Sequence, residues 1–243
     1  MRLPPPLLLA LLGLAVAVLL GLGTWQVQRH FWKQRLVDER AARLAAPPAE
    51  GAQAAGLPSR DLEWRRVHLS GAWDHAHTLI LANRVRYGVK GEELVTPLLP
   101  DTGGPAILVN RGWYPDSERD RIRAAMGVEA RAGIEGLVVD GSGRTARRTA
   151  QGTWTGLAPA SVAAIEGITV QPWFVLQGVP STDNALGPAP SLPVQRYRPF
   201  ENTTPHLEYA LTWYGIAVAL VGIAVARLVI APRRARRSAM SEP

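Results

Sequence analysis

Two apolar runs, one near each end, limit what this chain can fold into more than any other feature. Leu7 to Gly23 reads LLLALLGLAVAVLLGLG, with no charge and no hydrogen-bonding side chain. Thr24 and Trp25 bring it close to the ~20 residues that cross a bilayer core. Tyr209 to Ala226 is also uncharged, and Leu228 to Ala231 continues it past Arg227, whose long stem can carry its charge to the headgroups. Lipid offers the backbone no hydrogen-bond partner, so both runs are expected to be helices. The alternative for the first run is a cleaved secretory signal. Its length, and the lack of a small-x-small site followed by a polar start, favour retention.

The resulting plan is a cytoplasmic N-terminus (1–6), a transmembrane helix (7–25), a large domain (26–206), a second transmembrane helix (207–231) and a basic cytoplasmic tail (232–243). The net charge of +7 does not point to nucleic acid, because four arginines, Arg233, Arg234, Arg236 and Arg237, sit together directly after the second run. There they read as a topology signal and a contact for anionic lipid. Arg29, Lys33, Arg35, Arg40 and Arg43 follow the first run and argue for the opposite orientation. The tail decides, because large domains translocate largely regardless of charge. Both termini are therefore expected in the cytoplasm and the central domain in the periplasm. With no cysteine in the chain, disulfides, thiolate metal sites, iron–sulfur clusters and cysteine nucleophiles are excluded.

Gln26 to Ala46 contains no Gly or Pro and carries the favourable pairs Arg35–Glu39 and Glu39–Arg43, so the first helix is expected to continue to about residue 46. Pro47-Pro48 ends it, and Ala49 to Pro58 reads as a small-residue linker. Strand-like segments follow at 65–69, 78–81, 94–98, 106–109, 134–140 and 173–176, with turns at Gly71–Asp74 and Gly103-Gly104. Helical stretches are expected at 116–127 and 161–165, and GSGRTARR after Asp140 reads as flexible. The fold class is a membrane protein whose two transmembrane α-helices flank a strand-rich α+β extracytoplasmic domain, built as an antiparallel sheet or partly closed barrel.

No Walker loop, G-x-S-x-G, H-E-x-x-H or dinucleotide fingerprint is present, so no enzyme is expected. Asp74-His75-Ala76-His77 could hold a metal only with a third ligand such as Asp61 or His68, and an ordinary solvent-facing strand end is the plainer reading. His206 lies just before the second run, with Thr204 suited to the N-cap and Pro205 to the first helical position. A neutral imidazole at such a place is what an axial ligand of haem iron requires. His206, Tyr209, Ala210 and Trp213 then share a helix face. From the residues alone, a His/Tyr/Trp cluster that merely anchors the helix at the interface is the plainer account, and Trp25 suits an interfacial belt. Small residues at Ala10, Gly13, Ala17 and Gly21, and at Gly215, Ala219, Gly222 and Ala226, would let the helices approach each other or a partner.

Four blocks in order carry a family resemblance. They are Gly23-Thr24-Trp25-Gln26 with Arg29 and Lys33; Asn83-Arg84 with Gly88, Gly91 and Thr96-Pro97; Val109-Asn110-Arg111-Gly112-Trp113 with Pro115; and His206-Leu207-Glu208-Tyr209-Ala210-Leu211-Thr212-Trp213-Tyr214-Gly215. Together they resemble the Surfeit-locus family of cytochrome c oxidase assembly factors, bacterial type, over nearly the whole chain. The resemblance implies a non-catalytic role in the cell inner membrane, holding haem a and aiding its delivery into the large subunit of haem-copper oxidase. It assigns His206 to the haem iron, against the anchoring reading, and places Tyr209, Trp213, Trp25, Arg29, Arg111 and Trp113 at motif positions. Arg29 or Arg111 could pair with a haem propionate; for Arg111 a strand-end turn at 110–112 is an equal alternative. The implied partners are the oxidase large subunit, a haem a synthase and membrane lipid, with no nucleic acid. A scaffold that stabilises an oxidase intermediate without holding haem is the competing function.

Overall fold

The computed structural model describes residues 4–181, 192–197 and 204–227; the basic tail and the end of the second apolar run lie outside these residues. The chain separates into two compact units, one of residues 1–38 with 201–243 and one of residues 39–200.

The first unit holds two long helices, and both are long and apolar enough to cross a membrane. Helix α1 is continuous over Pro5–Ala45, as expected of a stretch without glycine or proline between Gln26 and Ala46. The last helix, α6, spans His206–Val225. Leu14, Leu211 and Val218 are exposed on these helices, a cost in water that lipid removes. The small-residue stripes do not mediate their approach: a Cβ added at Gly13, Gly21, Gly215 or Gly222 would meet nothing within 4 Å. The close fit is at Gly23, where a Cβ would lie 2.6 Å from the Tyr214 ring, and at the buried Ala210 and Ala217.

The second unit is a closed barrel. Its strands are β1 (Ala49–Glu50), β2 (Arg66–Trp73), β3 (Leu79–Arg86), β4 (Val89–Pro100), β5 (Ala106–Pro115), β6 (Arg131–Asp140), β7 (Val170–Gln177), β8 (Val179–Pro180) and β9 (Arg196–Tyr197). Its helices are α2 (Gly51–Ala55), α3 (Ser59–Leu62), α4 (Arg119–Gly127) and α5 (Pro159–Glu166). Strands run in the order β2-β6-β7-β5-β4, and β4 pairs back onto β2 through Gly71–Trp73 and Leu98–Pro100. Five strands therefore close on themselves, with β3 added outside β4 and β1 outside β2. All barrel pairs are antiparallel except β5 with β7, which needs the long crossover through α4, β6 and α5.

Closure explains one misplaced turn. The segment Gly71–Asp74 is not a turn, because β2 runs on to Trp73 and meets β4 there. A Cβ at residue 71 would stand 2.2 Å from the Leu99 carbonyl oxygen, so only glycine lets the two backbones close the ring. The supposed linker 49–58 is likewise packed: Ala49 and Ala54 are fully buried in the barrel core.

Alternate residues of each strand point to opposite faces, and two cores result. Val67, Leu69, Leu98, Val109, Val138, Trp173 and Val175 turn inward from all five barrel strands. Leu81, Val95, Leu108, Val139 and Phe174 turn outward and are covered by Ala146, Trp154, Leu157 and Val162. The 141–148 stretch is thus held in place, with the Ala146 amide donating to Ser161 Oγ at 3.1 Å and the Arg147 amide to Thr155 Oγ1 at 3.1 Å.

Candidate functional site

The recognisable residues fall into two places, one in each unit. In the barrel unit, β5 carries a bulge: Arg111 and Gly112 together oppose Leu94 of β4. Gly112 has φ +116°, and a Cβ there would come within 2.7 Å of the Val194 carbonyl oxygen. The Asn110 side chain ties the bulge from both sides, its Oδ1 accepting from the Gly112 amide at 3.0 Å and its Nδ2 donating to Glu93 at 3.0 Å. Trp113 is buried and donates from its indole to the Arg84 carbonyl at 2.9 Å. Its backbone pairs with Val194. The Asn83-Arg84 block meets it here through a second bulge, in β3, where Asn83 has φ +58°. These blocks are therefore one structural knot in mid-sheet, not a strand-end turn. It forms a wall of a cleft of about 460 Å³ that Arg84, Glu93, Asn110, Trp113 and Gln177 help to line.

Arg111 is directed into the barrel. It is 3% exposed, stacks over the Trp73 ring at 4.2 Å, donates to the Met126 carbonyl at 3.0 Å and pairs with Glu129. Its Nε is buried without a partner. Burial pulls its pKa down from the ordinary arginine value while Glu129 acts the other way. Two of its nitrogens and its flat face are thus used inside the domain.

In the helical unit, His206 opens α6 and is 7% exposed. Its Nδ1 lies 2.8 Å from Gln26 Oε1 of α1. Its Nε2 is buried and has no hydrogen-bond partner. Thr204 does not cap the helix with its side chain; α6 starts one residue later than expected, after Pro205. The Thr204 hydroxyl instead accepts from Lys33 Nζ at 2.9 Å, since an ammonium is a stronger donor than a backbone amide. Tyr214 OH and Thr24 Oγ1 are 3.1 Å apart, which adds a third polar link between the helices. Arg29, His30 and Lys33 are close enough to act electrostatically on the imidazole.

The other expected residues divide. Trp213 is half-buried on the same helix, whereas Tyr209 (52% exposed) and Trp25 (55%) turn outward, a disposition that suits an interfacial belt. Arg29 stacks on Trp32 at 4.0 Å. The residues that sequence reasoning passed over are Gln26 and Lys33, both inside a quoted block. The available signal was the first amide side chain after an apolar run, Gln26, with Gln28 two residues on.

The 74–77 segment forms a 3₁₀ turn in which His77 contacts Asp74 at 2.6 Å and His75 the Glu129 carbonyl at 2.7 Å. His68 is held between Glu50 and Glu135, and Asp61 pairs with Arg60. Among the described residues, no three His, Cys, Asp or Glu side chains converge on a metal position.

A profile of the SURF1 family matches residues 13–218, from the first helix through the last. The chain belongs to the SURF1 family. It is 29% identical to mouse Surfeit locus protein 1 over 84% of this chain and 70% of that protein. It is 30% identical to the SURF1-like protein of Monosiga brevicollis over 86% and 82%. The Cytochrome oxidase assembly protein SHY1 of Saccharomyces cerevisiae is 33% identical over 40% of this chain and 25% of its own length.

Proposed function

We propose that this SURF1-family protein is an assembly factor for haem-copper cytochrome c oxidase that holds haem a at His206 and aids its delivery into the large catalytic subunit. The observation that carries this reading is the buried, unpartnered Nε2 of His206. An orphaned polar atom in an interior is costly, and a lone-pair nitrogen is what haem iron takes as an axial ligand. The surroundings fit the rest of such a cofactor, because Arg29 and Lys33 supply positive charge near the imidazole for carboxylate groups. When bound, haem a would bring the iron that the oxidase needs for electron and oxygen chemistry. The chain's own part is to present one nitrogen at a fixed angle, offer cations to the propionates, and shield that nitrogen from water. A single neutral ligand on a helix end makes a bond that a better-equipped acceptor can outcompete, which suits a carrier.

In this reading the protein sits in the inner membrane with both termini cytoplasmic and the barrel domain periplasmic. The yeast relative, a cytochrome oxidase assembly protein by name, supports the oxidase link. Its role is taken to be non-catalytic. The test is the visible spectrum of full-length protein purified from cells that make haem a. Bound haem in the wild type that is lost in His206→Ala, with unchanged folding, is the expected result. Full haem occupancy in that variant would remove His206 as the ligand, and haem-free wild type would favour the scaffold function.

A further inference from the structure

We infer that Gln26 is the positioning residue that sets the tautomer and angle of the His206 imidazole, so that Nε2 is the ligating nitrogen. This rests on the haem-holding reading above but adds a residue with a separate, testable role. An imidazole that swings freely and exchanges its proton between two nitrogens presents a lone pair at either of them. Here the exchange is decided by a single contact, Nδ1 to Gln26 Oε1 at 2.8 Å. An amide oxygen accepts, so with Gln26 Oε1 facing it Nδ1 is the protonated nitrogen of the neutral ring. Nε2 is then left with its lone pair, and it is the nitrogen that is buried and without a partner.

The geometry around the contact restrains both partners. Gln26 lies on α1 one turn after Gly23, and the Tyr214 ring of α6 fits against Gly23. The hydroxyls of Thr24 and Tyr214 meet at 3.1 Å on the same stretch. Lys33, further along α1, donates to Thr204 at 2.9 Å, two residues before the histidine. The His206 backbone amide is itself held by the Thr204 carbonyl at 2.8 Å. The imidazole is thus fixed by links on both sides of it along α1. Second partners of this kind orient a ligating histidine and raise its basicity, and their loss typically weakens binding by roughly 10- to 100-fold.

Gln26→Leu and Gln26→Glu in the full-length protein test this, with two readouts. The first is the ¹⁵N spectrum of the histidine ring in haem-free protein, which reports the tautomer without any cofactor. The second is titration with ferric haem, followed by the reduction potential of the bound iron. Gln26→Leu is expected to lose the single Nδ1–H tautomer and to weaken haem binding by roughly 10- to 100-fold. Gln26→Glu keeps an acceptor and adds charge, so it should retain the tautomer and binding while lowering the potential, because a carboxylate makes the imidazole a stronger electron donor. A wild-type ring spectrum with wild-type affinity in the leucine variant would overturn the inference. An unchanged potential in the glutamate variant would do the same, even if the leucine variant fails to fold. Haem retained in His206→Ala would overturn the ligand assignment instead, and the haem-free ring spectra would still decide the role of Gln26.

Discussion

The two places where family blocks gather differ in what their polar atoms do. In the barrel knot, Asn110 bonds at both ends of its amide, Trp113 donates to Arg84, and Arg111 engages Met126, Glu129 and the Trp73 ring. Apart from the Arg111 Nε, which is buried without a partner, those groups are used within the domain around a bulge that fits only glycine at residue 112. At the helix pair, the central histidine uses one nitrogen to fix itself and leaves the other buried and unpaired. Side chains that satisfy one another hold a fold together, and under the proposed function the lone pair left on the histidine is what a ligand would take. On that reading the same sequence signal, a short recognisable block, stands for two physical roles.

The largest expected separation comes from pairing His206→Ala with Trp113→Ala. The histidine variant should lose bound haem completely while its thermal melting in detergent stays that of the haem-free wild type. The tryptophan variant removes a fully buried ring and its indole bond. Comparable truncations destabilise by about 3–5 kcal/mol, read as a large fall in apparent Tm. If Trp113→Ala instead spared the melt and abolished haem, the division between knot and site would be broken.

Arg111→Met sharpens the same contrast. It removes the bonds to Met126 and Glu129, and charged hydrogen bonds of this type contribute about 1.5–3 kcal/mol. Melting should fall accordingly with haem content unchanged, since the guanidinium is occupied inside the barrel. Lost haem at an unchanged melting temperature would return Arg111 to the propionate role. Asn110→Ala should do less, about 1–2 kcal/mol for a bulge tie, measured by the same melt.

What the chain disclosed in advance follows from the range of the interactions. Hydropathy is summed over neighbours, so the helical runs were legible, as were the Leu94–Leu98, Ala106–Val109 and Trp173–Leu176 strands. Barrel closure was not, because it depends on Gly71 meeting Leu99 across the ring, and a glycine read locally signals a turn. Ala49 to Pro58 looked like a linker for the same reason: small residues lack a periodic signal, yet Ala54 is fully buried against other parts of the domain. At the helical site, His206 was legible as a residue, but its partner 180 positions away was not. Thr204 shows the converse, a good local cap diverted by a lysine from a distant helix.

The smallest expected effect concerns alkaline pH and falls on the barrel alone. Burial pushes the Tyr114 phenol up to about 12, and Tyr197 up to about 12 for the same reason. In the unfolded chain both would ionise near their ordinary value of 10.0. Since their folded values are raised, the stability they confer is fully present below pH 10 and is lost as pH rises towards about 12. Tyr114 donates to the buried Glu92, which also holds Arg119 and Arg123, so its ionisation would set two negative charges against each other. Tyr114→Phe should therefore reduce the fall in melting temperature between pH 10 and 12, and the highest-pH component of tyrosinate absorbance should shrink to the share that belongs to Tyr197. A wild-type alkaline profile in that variant would show that the phenol does not couple to the stability of the barrel.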